Sequence, residues 1–146
     1  PNTMSFSARR FPMSGACRFN CYISIDKKVD GETKQAALAA LGGCDFVKHV
    51  VVVDARINIY NEEEGMWATA TRVQADQDVD IIKNVKGNTL DPSQTDNIMT
   101  AKMIIDATKP VQRPYEARVA VPKTAMEKTR LEDFIPRPVL DRVPKV

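Results

Sequence analysis

The sequence predicts an α/β (α+β) fold, a mixed β-sheet flanked by helices, with an extended proline-rich C-terminal arm. Three observations carry that prediction. Val50-Val51-Val52-Val53, inside the apolar run 46–54, suits a strand buried on both faces and therefore central in its sheet. Residues 61–72 then open on a helix-start signal. Asn61 is placed to cap the free amides, and Glu62, Glu63 and Glu64 sit where the helix dipole favours negative charge. Met66, Trp67 and Ala70 give that helix an apolar side to lay on the sheet. Third, six of the nine prolines fall in the last 40 residues, where a regular compact fold cannot continue.

The other elements flank this unit. Residues 1–15 carry Ser, Arg, Pro and Met without clean periodicity and read as a connecting segment. Residues 17–26 alternate well from Phe19 to Ile25, which predicts a half-buried strand. Asp30 is the expected cap of a helix that starts at Glu32, runs to about Leu41 and stops at Gly42-Gly43. Ile57-Asn58-Ile59 reads as a short extended piece. Strands are expected at 79–85 and 101–106, separated by a loop of turn formers at 87–93. In the arm, 111–146, one helical window covers 124–134. The apolar residues Val119, Val121, Phe134, Ile135, Val139, Leu140 and Val143 need cover, and a neighbouring subunit or domain would supply it.

At 146 residues, 43% hydrophobic and 27% charged, the chain is long enough for one sizeable core and too apolar for disorder. It has no apolar run of roughly 18 residues, so no membrane span is expected. A net charge of +2 with no basic stripe argues against nucleic acid. Cys17, Cys21 and Cys44 follow no zinc spacing. On a strand, Cys17 and Cys21 would share a face roughly 13 Å apart, too far to bridge. They read as reduced thiols in a cytoplasmic protein. His49 reads first as a histidine on a sheet face, and Asp54 as a turn or cap residue rather than a site at a strand end. Phosphate loop, nucleophile elbow and His-Cys constellation are all missing from the motifs.

Four stretches, in order and at fitting spacing, carry a resemblance: 47–54 (VKHVVVVD), 66–72 (MWATATR), 90–93 (LDPS) and 102–110 (KMIIDATKP). Over residues 16–110 the chain resembles the C-terminal domain of UbiD-type decarboxylases, which use prenylated FMN. It departs at Asp54-Ala55-Arg56, where relatives often show more acids, and at Ile104, where many have glycine. The resemblance implies non-oxidative, often reversible decarboxylation of aromatic or α,β-unsaturated acids. It further implies that the family's N-terminal part binds prenylated FMN with a divalent metal and K+, and supplies the Arg–Glu–Glu (or Asp) catalytic group. No counterpart of that part is expected here, so this chain should hold no catalytic residue, no metal and no cofactor alone. The beginning at Pro1 favours a fragment of a longer enzyme over a natural split subunit.

In the family the C-terminal domain drives dimer or hexamer formation and closes over the flavin. A lid at Gly87, Asn88, Thr89 and Leu90 is implied to approach the substrate, and the start of the strand, Phe46 and Lys48, to face the cleft. The expected function is therefore the oligomerisation and active-site-capping part of a UbiD-like decarboxylase, with the flavin-binding half as its partner. The alternative is a stand-alone structural or regulatory subunit without catalysis.

Overall fold

Strand β3, His49–Asp54, lies in the middle of a five-stranded sheet of order β1-β2-β3-β5-β4. The computed structural model describes residues 6–95, 97–112, 114–115, 119, 121–140 and 142. In chain order the first unit contains β1 (Phe6–Arg10), β2 (Asn20–Ile25), α1 (Glu32–Gly43), β3, α2 (Glu62–Arg72), β4 (Val79–Lys86) and β5 (Met99–Ala107). Strands β2, β3 and β5 run parallel, and β1 and β4 close the edges antiparallel. The sheet is mixed and helix-covered, as the sequence predicts.

Because α1 covers one face of the sheet and α2 the other, the interior of β3 is apolar on both faces. Val50, Val52 and Val53 are fully buried. One face packs Cys21, Ile23, Val50, Val52 and Ile104 under Ala36, Ala37, Ala40 and Leu41 of α1. The other packs Tyr22, Val53 and Ala107 under Ala68 of α2, with Ile57 and Ile59. The small alanines let α1 approach closely.

Several local expectations change in three dimensions. The connecting segment contains β1, paired with β2 through Arg9↔Ile23 and Arg10↔Tyr22; residues 1–5 lie outside the described residues. Strand β2 is buried on both faces rather than half-buried, because β1 and β3 flank it and both helices cover it. Cys17 sits in a turn at φ 55°, not on a strand, and all three cysteines are free. Burial pushes the Cys21 thiol up to about 11, with Arg9 opposing, so it stays protonated. Asp30 does not cap α1: Gly31, at φ 101°, holds the N-cap position, while Asp30 pairs with Lys27 at 2.8 Å. Residues 55–60 form turns rather than an extended piece, yet Ile57 and Ile59 are buried.

Helix α2 starts as predicted, the Asn61 side chain accepting from Glu63 N–H at 3.0 Å. Its inward face differs. Gly65 and Ala68 are the buried residues, whereas Met66 is 59% exposed. The cause is Tyr22: a Cβ at Gly65 would lie 2.6 Å from its ring, so only glycine allows this approach. At the far end of α1, buried Lys102 donates to the carbonyls of Leu41 and Cys44, both at 3.2 Å. An ammonium there satisfies orphan carbonyls and complements the helix dipole.

The second unit, Glu116–Val146, contains α3 (Lys123–Lys128), a short 3-10 turn at Leu131–Asp133 and α4 (Arg137–Leu140). The single window expected at 124–134 is thus divided. Val119, Val121, Met126, Phe134 and Val139 are exposed. Val143 and the Leu140 side chain lie outside the described residues.

Candidate functional site

Lys48 immediately precedes β3, and its backbone is pinned from both sides. Its N–H and that of His49 both donate to Phe19 C=O, at 2.9 and 3.0 Å, while its own carbonyl accepts from Met103 N–H at 2.7 Å. The ammonium reaches into the β4–β5 connection. It contacts the Asp91 carboxylate at 2.8 and 3.0 Å and donates to Ser93 Oγ at 2.6 Å. Asp91 is 4% exposed. It also accepts from the Ser93 N–H and hydroxyl, both at 3.0 Å, and from Thr100 Oγ1 at 3.4 Å. Burial raises its pKa, but the bonds from Lys48 and Ser93 outweigh burial and bring it down to about 2. The carboxylate is therefore charged at neutral pH, and the loop is tied to β3.

Beside this pair lies a cavity of about 530 Å³ whose lining includes Lys48, His49, Lys83, Asn84, Ser93 and Thr100. His49 Nδ1 lies 2.9 Å from the Asn20 side-chain oxygen, which makes Nδ1 the donor and leaves Nε2 free to accept. Burial, then the neighbouring Lys48 charge, lowers the His49 pKa, so the ring is neutral at pH 7. With Lys48 paired to Asp91, Lys83 is the charge in this lining that suits an oxygen-rich, negatively charged or polar guest.

The four residues expected to form a lid divide into a root and a tip. Gly87 is buried and donates its N–H to Ile98 C=O at 2.7 Å. A side chain there would come within 3.2 Å of Thr100 and 3.3 Å of the Ile98 carbonyl, so the glycine serves close approach. Asn88 closes a turn: its side-chain oxygen accepts from Leu90 N–H at 3.0 Å, and its carbonyl from Asp91 N–H at 2.8 Å. Thr89 and Leu90 form the exposed tip, Leu90 57% exposed. Phe46 is half-buried, its ring 5.5 Å from the Arg18 guanidinium, and does not line the Lys48 cavity.

Lys48, expected to face a cleft, lines this cavity; Asp91, Ser93 and Thr100 carry no role in the sequence reading, because they lie in turn-forming or strand sequence. Their signal was the uncompensated Lys48 among apolar residues, a charge that needs a distant partner. His49, read as a sheet-face histidine, lines the cavity.

Comparison with known proteins agrees with this architecture. Residues 6–107 match the family profile described as 3-octaprenyl-4-hydroxybenzoate carboxy-lyase C-terminal domain, or UbiD_C. Anhydromevalonate phosphate decarboxylase of Aeropyrum pernix is 43% identical over 105 residues, 72% of this chain and 24% of that protein. Phenolic acid decarboxylase of Sedimentibacter hydroxybenzoicus is 40% identical over 111 residues, 72% of this chain and 23% of that one. The UbiD-class enzyme HmfF of Pelotomaculum thermopropionicum, solved in complex with FMN, superimposes with a TM-score of 0.77 at 43% identity, over 89% of this chain and 29% of that one. An evolved dimeric form of HmfF, in complex with prFMN, gives 0.67 at 38% identity over 89% of this chain and 26% of that one. The chain spans about a quarter of the length of the curated relatives it matches. Family profile, relatives and fold agree: this chain belongs to the UbiD family of decarboxylases and carries its C-terminal domain.

Proposed function

We propose that this chain is the active-site-capping and oligomerisation part of a UbiD-like decarboxylase or carboxylase acting on aromatic or α,β-unsaturated carboxylic acids. Its partner is a flavin-binding half, in the same polypeptide or in a separate subunit. The observation that carries the capping role is the Lys48–Asp91–Ser93 cluster, which fixes a loop with an exposed tip beside a 530 Å³ cavity. The described residues do not fit a divalent metal, since no three His, Cys, Asp or Glu side chains converge among them. Asp91, which bonds the cavity-lining Lys48 and Ser93, is already committed to Lys48. In this reading prenylated FMN, the metal and K+ are held by the partner half.

In this reading each residue has a limited task. Lys48 and Ser93 hold the base of the loop, and Thr89 and Leu90 close over bound acid and exclude water. Lys83, which lines the cavity, orients its oxygen atoms. Neutral His49 offers Nε2 as an acceptor. Reconstitution tests the proposal: decarboxylation should require this chain, the flavin-binding half and prenylated FMN together. Stoichiometric, tight flavin binding by this chain alone would refute it.

Oligomerisation is proposed for the second unit because Val119, Val121, Met126 and Phe134 are each more than half exposed. A stable contact commonly buries about 1,600 Å² in total. Light scattering should give a dimer or hexamer for the full chain and a smaller species after truncation at Lys109. A full-length monomer at tens of micromolar would end the idea.

A further inference from the structure

The end of β3 opposite Lys48 carries a second cavity, of about 410 Å³, where β2, β3 and β5 finish. Six residues of β3 separate the two ends, a span of about 20 Å. Crevices beyond the carboxyl ends of parallel strands are where open α/β sheets commonly take ligands. The charged residues in this lining are Asp26, Lys27, Asp54, Arg56, Arg72 and Lys109.

Pairing leaves this wall positive. Asp26 is bound to Lys28, and Lys27 to Asp30 at 2.8 Å. Asp54 is bound to Arg72 and also accepts from the Lys109 backbone N–H at 3.4 Å. Arg56 and the Lys109 ammonium then have no ion-pair partner among the described residues. Lys109 Nζ instead lies 5.4 Å from the centre of the Tyr115 ring. Arg72 is held rigidly, its side chain 3% exposed and its guanidinium within 5.3 Å of the Trp67 ring and 6.0 Å of the Tyr115 ring. Its Nη1 donates to Asp54 and to Ala107 C=O, while its buried Nε has no hydrogen-bond partner.

We propose that this cavity binds a small oxyanion, a phosphate or a carboxylate, held by Arg56 and Lys109 against the fixed Arg72 wall. Guanidinium and ammonium groups make charge-assisted hydrogen bonds to such oxygens. A cation would meet like charge here, and an apolar guest would strip water from Arg56 and Lys109 without compensation. Proximity to Asp26 and Asp54 does not cancel the site, because both carboxylates are already paired.

The test is an amide NMR titration of the isotopically labelled full chain with inorganic phosphate and, separately, benzoate, at constant ionic strength with chloride as control. Saturating shifts should cluster at Lys27, Ala55, Arg56 and Lys109 with at least one of the two. Saturation by phosphate alone assigns a phosphate site, and by benzoate alone a carboxylate site. Benzoate in the Lys48 cavity would move His49 and Thr100 instead, so the two sites are separable. Arg56→Ala and Lys109→Ala should each weaken binding about tenfold, the worth of a hydrogen bond to a charged group. Both leave the Arg72–Asp54 pair in place, and Lys109→Ala keeps its backbone N–H. Shifts that grow linearly and match chloride, or binding that neither variant weakens, would overturn the proposal.

Discussion

The two ends of β3 solve one problem in two ways. Each places a cation beside a carboxylate at the edge of the core: Lys48 with Asp91 at the start of the strand, Arg72 with Asp54 at its finish. At the finish both partners belong to packed elements, an acid on β3 and a base on α2, and the guanidinium lies near two aromatic rings. A planar fork held this way has one geometry. At the start the acid belongs to a loop, and the base is a single ammonium on a flexible stem. The same charge pairing thus serves to weld a helix in one place and to latch a loop in the other.

Removing Arg72 should have the largest effect. Arg72→Ala leaves Asp54 without its cation and takes a buried side chain from beside Trp67. A broken buried pair costs about 3–5 kcal/mol, and Asp54, 23% exposed, recovers some water, so about 3 kcal/mol is expected. Chemical denaturation measures it. Arg72→Lys should recover only part, because an ammonium lacks the planar guanidinium that lies near the Trp67 and Tyr115 rings. Equal stability of the lysine variant and the parent would make the two ends alike and remove the contrast.

At the latch the expected effect is smaller and depends on pH. The Asp91 pKa, about 2 in the folded chain, lies below its ordinary value near 4. Its contribution is therefore fully present above about pH 4 and is lost as the pH falls through 2, for a total of about 2 kcal/mol. Asp91→Asn should flatten that part of the stability–pH curve, and Lys48→Met should shrink it without abolishing it, since Ser93 still donates twice. Denaturant midpoints between pH 5 and pH 2 provide the check. Parallel curves for parent and Asp91→Asn would mean that the latch carries no net charge energy.

The contrast between the ends also explains what the sequence made legible. The valine run and the Asn61 cap were readable because their causes are local: burial on both faces demands apolar residues, and a capping oxygen sits two residues from its donor. Strand β1 was hidden because an edge strand reading Phe-Ser-Ala-Arg-Arg has no strong alternation. The inward face of α2 was misjudged by size. Large Met66 points outward and glycine inward, since the shape of Tyr22 sets the spacing. Buried Lys102 reads as an exposed residue until the carbonyls at the end of α1 are in view. Asp91 lies 43 residues from Lys48, and within LDPS it looks like any turn former. Long-range pairing of charges leaves little trace in local sequence.

The smallest stability effect is expected at the tip of the latched loop, where function should be most sensitive. Leu90 is 57% exposed, so Leu90→Ala removes little buried surface and should cost well under 1 kcal/mol, against about 2–5 kcal/mol for a core leucine. Its backbone N–H, which donates to Asn88, survives the change, so the turn keeps its shape. If the tip closes over substrate, the same variant in the complete enzyme should change kcat or the preference among acids while leaving the melting temperature almost untouched. Lys48→Met should act through the same loop by freeing its base, and the double variant should then lose less than the sum of the two. Melts and steady-state kinetics on the three variants decide the matter. A large fall in melting temperature for Leu90→Ala with unchanged specificity would make Leu90 a packing residue. Simple additivity of the kinetic losses would separate the latch from the lid.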